Sequence, residues 1–325
     1  MGKRVLYLEC KSGAAGDMLM GALYGLLTEE QRRVFLEKLN SIWEGVTVTA
    51  EEKTQKGIGG IQMHVSVHGQ QEDEHMHDHG HEHSHGHDPH EHGYEHEHSH
   101  GHDHQEHDHD QNHGHSHDND PHEHGHGHAH GHGHEHSHGH DHQEHVHSHN
   151  HAHSHHHTSY PEILERISSL PVSEQVRRNA AEIYRRIGEA ESKVHRTSME
   201  QIHFHEVGSL DALVDVTGSC LAVEMLGVDE ILASPVCVGN GTVRCAHGIL
   251  PVPAPATAEI IKGMPVYFSE TDGELLTPTG AAVLKHFVKG YTRELALAIE
   301  EIGYGMGTKE FENPSFVRAF LGTME

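Results

Sequence analysis

The sequence predicts a mixed α/β (α+β) globular domain interrupted by a long disordered His-rich insert. Three observations carry this. The N-terminus runs as an apolar strand, a small-residue turn and an apolar helix, which together form a βα unit. Downstream, helical and strand patterns alternate along the chain without segregating. The histidines are partitioned: residues 71–157 hold 38 of the 45 His and 19 of the 50 acids, with no Lys or Arg. The formal charge of −28 therefore splits into −19 for this tract and −9 for the other 238 residues. The tract has five apolar residues (Met76, Tyr94, Ala129, Val146 and Ala152) and cannot bury enough surface to offset its ordering entropy. The remainder is roughly 44% apolar, an ordinary globular value. The expected organisation is a first part of the α/β domain at 1–70, the tract at 71–157 and a second part at 158–325.

Residues 3–10 read as a buried strand, Ser12 to Asp17 as a turn and Met18 to Leu27 as a helix. Thr28 is an N-cap, with Glu29 and Glu30 in the first turn, for a second helix ending near Asn40. Val46 to Gln55 is a strand, and Gly57 to Gly60 turns the chain. Ile61, Met63, Val65 and Val67 then alternate with polar residues as the second strand of a hairpin. Pro161 marks the first position of a helix after Ser159, and Ser173 caps a longer one reaching about Val194. Ile202 to Val207 is short and extended, and Leu210 to Leu226 is a buried helix. Ile231 to Val243 forms strand segments broken by Gly239 and Gly241. Pro251, Pro253 and Pro255 demand an irregular loop. Ala256 to Lys262 is a short helix, Met264 to Phe268 a strand and Ala281 to Val288 a helix. Leu295 to Ile302 and Phe316 to Leu321 are strands joined across the Gly303–Gly307 segment.

No apolar run reaches the ~20 residues of a membrane helix. The first ten residues are too short an apolar run for a signal peptide, so a cytoplasmic location is expected, with no membrane partner. The negative balance argues against nucleic acid as a partner. The sequence is compatible with a homo-oligomer. Four Cys form neither a CxxC pair nor a zinc-finger spacing and read as reduced thiols.

The tract places His at nearly every second position, as in His128, His130, His132 and His134. Neutral imidazole binds Ni, Zn, Cu and Co, and interleaved carboxylates add oxygen ligands. It reads as a store or local source of metal, against incidental binding by a low-complexity expansion. His64 and His68, on the polar face of the strand before it, extend this ligand set.

Four compact candidates stand outside the tract. Ser12, Gly13, Gly16 and Asp17 form a turn before a helix, suited to phosphate or to a tight turn capped by Asp17. The turn contains no P-loop lysine. Cys10 sits at the strand end, where α/β sheets place functional groups, or is simply a small buried residue. His203 and His205 share one face of an extended segment, followed by Glu206 and by Asp211 and Asp215 on one helix face. They suit a divalent cation site or a general base, or a polar network fixing the helix start. Cys245 and His247, two apart, suit a soft metal or a strand end. Thr277, Thr279 and Gly280 at a helix start suit an anion or simple capping.

Residues 7–18, 203–215, 238–257 and 274–282 together resemble the LarC family of nickel insertion proteins, which mature the nickel-pincer nucleotide cofactor. The resemblance spans nearly all non-tract residues; Glu9 stands where the family usually has Asp. It implies Ni(II) insertion into pyridinium-3,5-bisthiocarboxylic acid mononucleotide, between its two thiocarboxylate sulfurs and the ring carbon between them. The product would serve lactate racemase-type enzymes, and the activity would be of the lyase class. It also implies consumption of CTP with Mg or Mn, bound by a further C-terminal domain or partner chain that follows the part seen here. Two readings compete with an insertase: a non-enzymatic nickel or zinc storage or metallochaperone protein, and a scaffold with an incidental His expansion.

Overall fold

A computed structural model describes residues 2–69 and 158–325 of the chain. These residues belong to one unit, defined as 1–78 with 153–325. The second unit, 79–152, lies outside the described residues, as does the whole tract with His128, His130, His132 and His134.

In chain order the elements are β1 (Lys3–Glu9), α1 (Gly16–Gly25), α2 (Glu29–Asn40), β2 (Val46–Gln55) and β3 (Ile58–Val67). After the undescribed segment come β4 (Thr158–Ser159), α3 (Tyr160–Ser168), α4 (Glu174–His195), β5 (His203–Phe204) and α5 (Leu210–Leu226). Then follow β6 (Glu230–Ala233), β7 (Val236–Cys237), β8 (Gly239–Asn240), β9 (Thr242–Cys245), β10 (Gly248–Pro251) and α6 (Pro255–Ile260). The chain closes with β11 (Val266–Tyr267), β12 (Gly273–Glu274), α7 (Pro278–Phe287), β13 (Gly290–Tyr291), β14 (Ala298–Met306) and β15 (Phe316–Met324).

A seven-stranded mixed sheet runs in the order β13-β6-β1-β15-β14-β3-β2. β1, β6 and β13 are parallel neighbours, and β15 pairs antiparallel with both β1 and β14. Strands from both sides of the tract thus share one sheet. Helix α1 lies on β3, β14 and β15, α5 packs on α1, and α4 packs on α5, α6 and α7. Helix α5 is apolar almost all round because it lies between layers: residues 212–222 are all buried.

Capping follows the sequence reading. Thr28 and Ser159 each close a reciprocal capping box, and Ser173 accepts from Val176 N at 3.1 Å.

Several boundaries differ from expectation: β3 begins at Ile58, inside the predicted Gly57–Gly60 turn, β14 begins at Ala298 rather than Leu295, and three further differences bear on packing. Helix α1 begins two residues earlier, at Gly16, inside the predicted turn. Helix α7 begins at Pro278, because Pro is preorganised for a first helical position. The Gly303–Met306 stretch is strand, where a connection was expected. Its glycines serve packing: a Cβ on Gly303 would overlap the Ala22 carbonyl oxygen, and one on Gly305 the Met18 carbonyl oxygen. The strand can lie this close to α1 only without side chains there.

The helices cover one face of the sheet. On β15, Val317, Ala319 and Leu321 are buried beneath them, while Phe316, Arg318 and Phe320 alternate to the other, partly exposed face.

Candidate functional site

Two of the predicted anion-binding segments meet. Ala14 forms a parallel bridge with Leu276; its N–H donates to Leu275 O at 2.8 Å, and Thr277 N–H donates to Ala14 O at 3.1 Å. Gly13 adopts φ +90°, and a Cβ there would overlap the Leu275 carbonyl. A Cβ on Gly280 would likewise overlap the Ala14 carbonyl. Much of the polarity of these loops is therefore turned inward. Thr277 Oγ1 accepts from Gly280 N at 3.2 Å and lies 3.0 Å from Thr279 Oγ1, so both hydroxyls lie at the start of α7. Asp17 Oδ1 accepts from Met18 N at 2.7 Å, and Ser12 is half-buried at the turn's entry.

Asp215 joins this junction from α5. It is 6% exposed, and a Cβ on Gly16 would meet its Oδ2 at 2.5 Å. Its carboxylate thus lies at the amino end of α1, where the helix dipole favours negative charge. Behind it, burial pushes the Tyr184 phenol up, with the charges of Asp215 and Asp211 adding to the effect.

A separate cluster forms at the surface. The His205 and His247 rings lie 4.7 Å apart between centroids, His195 and His247 4.9 Å, and His195 and His205 6.0 Å. Each ring comes from a different element. His195 ends α4, His205 follows β5, and His247 sits in the two-residue loop of the β9–β10 hairpin. Phe204 anchors the β5 segment inward against Tyr184, at 6.2 Å, so His205 is turned outward. Glu206 Oε1 accepts from Ala246 N at 3.0 Å and ties that segment to the hairpin loop. His195 Nε2 lies 3.4 Å from Glu191 Oε2. Burial raises the Glu191 carboxyl; His247 opposes the shift and Glu206 adds to it.

Imidazoles sharing one cation at M–N ~2.1 Å have ring centroids roughly 4.5–5.5 Å apart. Two of the three spacings match that range. Among the described residues, no three His, Cys, Asp or Glu side chains already close around one point as a formed metal site. Rotation of the rings would be needed to complete one.

Other predicted ligands lie elsewhere. His203 is set opposite Ser159 in the β4–β5 pair, and its charge is felt by Glu162. Cys10 is 0% exposed, and burial with the nearby Glu9 charge pushes its thiol up to about 12, so it is not a ready thiolate. His64 lies 3.5 Å from Glu51 Oε2, and the His68 ring packs over Gly45. Cys245 ends β9 in register with Gly248, beside the loop that carries His247.

Comparison with known proteins decides the family. The profile of the family described as "Nickel insertion protein" matches residues 6–325. The chain belongs to this nickel insertion protein family. It is 45% identical over 168 residues to a pyridinium-3,5-bisthiocarboxylic acid mononucleotide nickel insertion protein of Staphylococcus saprophyticus, covering 52% of this chain and 43% of that protein. Proteins of the same name from Desulfitobacterium hafniense and Clostridium kluyveri are 43% and 44% identical over 168 and 164 residues. Those matches cover 52% and 50% of this chain and 42% and 41% of the relatives. The matched part thus spans less than half the length of these relatives. No solved structure matches the chain.

Within this family member, sequence reasoning missed three site residues. Glu191 and His195 are four apart on α4, a carboxylate–imidazole pair on one helix face that the sequence does show. Glu274 opens the 274–282 motif, but its neighbours in sequence give no sign of a role for its carboxyl. Burial raises its carboxyl to about 7; Lys309 opposes the shift and Glu206 adds to it. A carboxyl poised there exchanges protons at neutral pH. Its folded value lies above the unfolded one, so the folded state holds the extra proton between about pH 4.5 and 7. Stability falls as pH rises through that window and is level above it. Glu274→Gln is expected to remove the fall and to stabilise the chain at pH 8 by on the order of 2–3 kcal/mol. Urea unfolding at pH 5 and pH 8 checks this; an unchanged slope in the variant would refute it.

Proposed function

We propose that this chain holds Ni(II), as substrate, for insertion into pyridinium-3,5-bisthiocarboxylic acid mononucleotide, forming the nickel-pincer nucleotide cofactor of lactate racemase-type enzymes. Family membership supports the reaction class, and the convergence of His195, His205 and His247 from three separate elements carries the site. These rings would hold the ion before transfer, with Glu191 orienting His195 as an outer carboxylate does in metal sites. Nickel then joins two thiocarboxylate sulfurs and the ring carbon between them, and that carbon loses its proton. Glu206 and Glu274 are the carboxylates beside the cluster placed to take it. As a reaction that forms metal–ligand bonds, it falls in the lyase class.

The Ser12–Asp17 turn contains no lysine, and Gly13 and Gly280 are pressed onto backbone, so the described loops do not fit a triphosphate. In this reading CTP belongs to a C-terminal partner chain or domain. The tract at 71–157 acts as a reservoir that raises local nickel, and the chain works in the cytoplasm. No helix among the described residues is long and apolar enough to cross a membrane. The abundance of imidazoles in the tract favours one second reading, a storage or metallochaperone protein without catalysis.

The test supplies the full chain with its C-terminal partner, CTP, Ni(II) and the substrate, beside a chain lacking 71–157. The expected result is conversion by both at ample nickel and by the full chain alone when nickel is scarce. No conversion by the intact assembly at any nickel level would overturn the insertase reading and leave storage.

A further inference from the structure

We propose that a cleft on the open face of the sheet binds a small anionic aromatic molecule of the nucleoside monophosphate class. The cleft has a volume of about 460 Å³, within the roughly 300–1,000 Å³ of small-molecule sites. It lies at the carboxyl ends of the parallel strands β1, β6 and β13, the end of an α/β sheet where ligands gather.

Its walls combine three aromatic rings with the aliphatic side chains of Leu295, Leu297 and Ile299. Tyr7 and Phe320 are register partners on β1 and β15, with ring centroids 6.2 Å apart, and Tyr267 stands across from the chain that follows β1. Both phenols are committed to backbone: Tyr7 Oη donates to Thr292 O at 3.0 Å and Tyr267 Oη to Lys11 O at 3.1 Å. The two fixed tyrosine rings therefore offer faces for stacking, while Phe320 carries the Arg318 guanidinium over its ring at 5.3 Å.

The charge at the cleft is positive in excess. Glu9 is the one carboxylate among the lining residues, and Lys11 pairs with it at 2.7 Å while Arg318 pairs with it from the neighbouring strand. Burial opposes ionisation of Glu9, but Lys11 and Arg318 hold its carboxyl below the usual range. Lys11 is 67% exposed in its side chain, so it can turn to a ligand while Arg318 keeps Glu9 neutralised. Arg293, at the rim, has no ion pair among the described residues, so an incoming anion displaces no carboxylate from it. A guanidinium is the side chain best shaped for phosphate or carboxylate. Apolar walls that include tyrosine rings, with one unspent guanidinium and one releasable ammonium, fit a flat ring carrying phosphate. The insertion substrate is of this class, but the cleft shares no lining residue with the histidine cluster, so a mononucleotide held there lies apart from the point of nickel transfer; binding at the cleft does not rest on the reading above.

The test titrates nicotinic acid mononucleotide into the full chain by calorimetry, without nickel, with inorganic phosphate as comparison. The mononucleotide is expected to bind saturably and at least tenfold more tightly than phosphate. Arg293→Gln should weaken it at least tenfold and Arg293→Lys less, while His247→Ala leaves it unchanged. Absence of saturable binding, or equal binding by Arg293→Gln, would overturn the assignment. So would a loss in His247→Ala as large as that in Arg293→Gln, because the molecule would then sit at the histidine cluster. Failure of insertion with intact mononucleotide binding would fall on the nickel reading alone.

Discussion

Replacing His247 by Ala is expected to lower nickel insertion by roughly 10–100-fold, the scale on which metal sites respond to losing a supporting group. His247 is the ring nearest both others, 4.7 Å from His205 and 4.9 Å from His195, so its removal leaves two rings 6.0 Å apart. His205→Ala should act similarly. His203→Ala should have little effect, because its ring is not one of the three that converge and its backbone pairs with Ser159. Total nickel bound should be nearly unchanged in all three variants, since the tract keeps its 38 imidazoles. The measurement pairs insertion rate with metal content of the purified full chain. If His247→Ala inserts nickel at the rate of His203→Ala, the cluster is not where the ion is held. If metal content falls in proportion to rate, the variant has lost bulk binding and a compact site is not at work.

Gly305→Ala is expected to destabilise the described unit by about 3 kcal/mol or more, above the usual cost of overpacking. The added Cβ overlaps the Met18 carbonyl oxygen and crowds Ala22 N, both backbone atoms of α1, so no side-chain rotation can relieve it. Strand β14 or helix α1 must move, and α1 is held in turn by α5 and β3. For a domain of this size the midpoint of thermal unfolding should fall by roughly 6–12 °C. Gly59→Ala is the control: its nearest atom would be Thr54 Oγ1 at 4.0 Å, and the change should be near neutral. Equal midpoints for the two variants would mean that α1 does not lie on β14 as described.

These two predictions divide along the line between local and tertiary information. The helix starts at Thr28, Ser159 and Ser173 were legible because a cap is a contact between residues three apart, written consecutively in the chain. The alternation of His203, Phe204 and His205 was legible for the same reason. The role of Gly303 and Gly305 was not. Glycine marks either a turn or a close approach, and only the helix lying across the strand distinguishes them.

The candidate site shows the same limit. The sequence separated His205 and Glu206 from Cys245 and His247 by some forty residues and grouped His203, Asp211 and Asp215 with the former. The fold regroups them: Phe204 turns inward, Asp215 goes to the start of α1, and the hairpin brings His247 to His205.

The sequence by itself determined the mixed α/β class, the separate composition of residues 71–157 and the resemblance to nickel insertion proteins. Each is a property of composition or of contiguous motifs. The tertiary structure decided which histidines stand together, that Glu274 is half-buried beside Glu206, and that one face of the sheet opens as a cleft beside Lys11 and Arg293. Those depend on distances between residues far apart in the chain, which are set by packing across the sheet and leave no mark in local sequence.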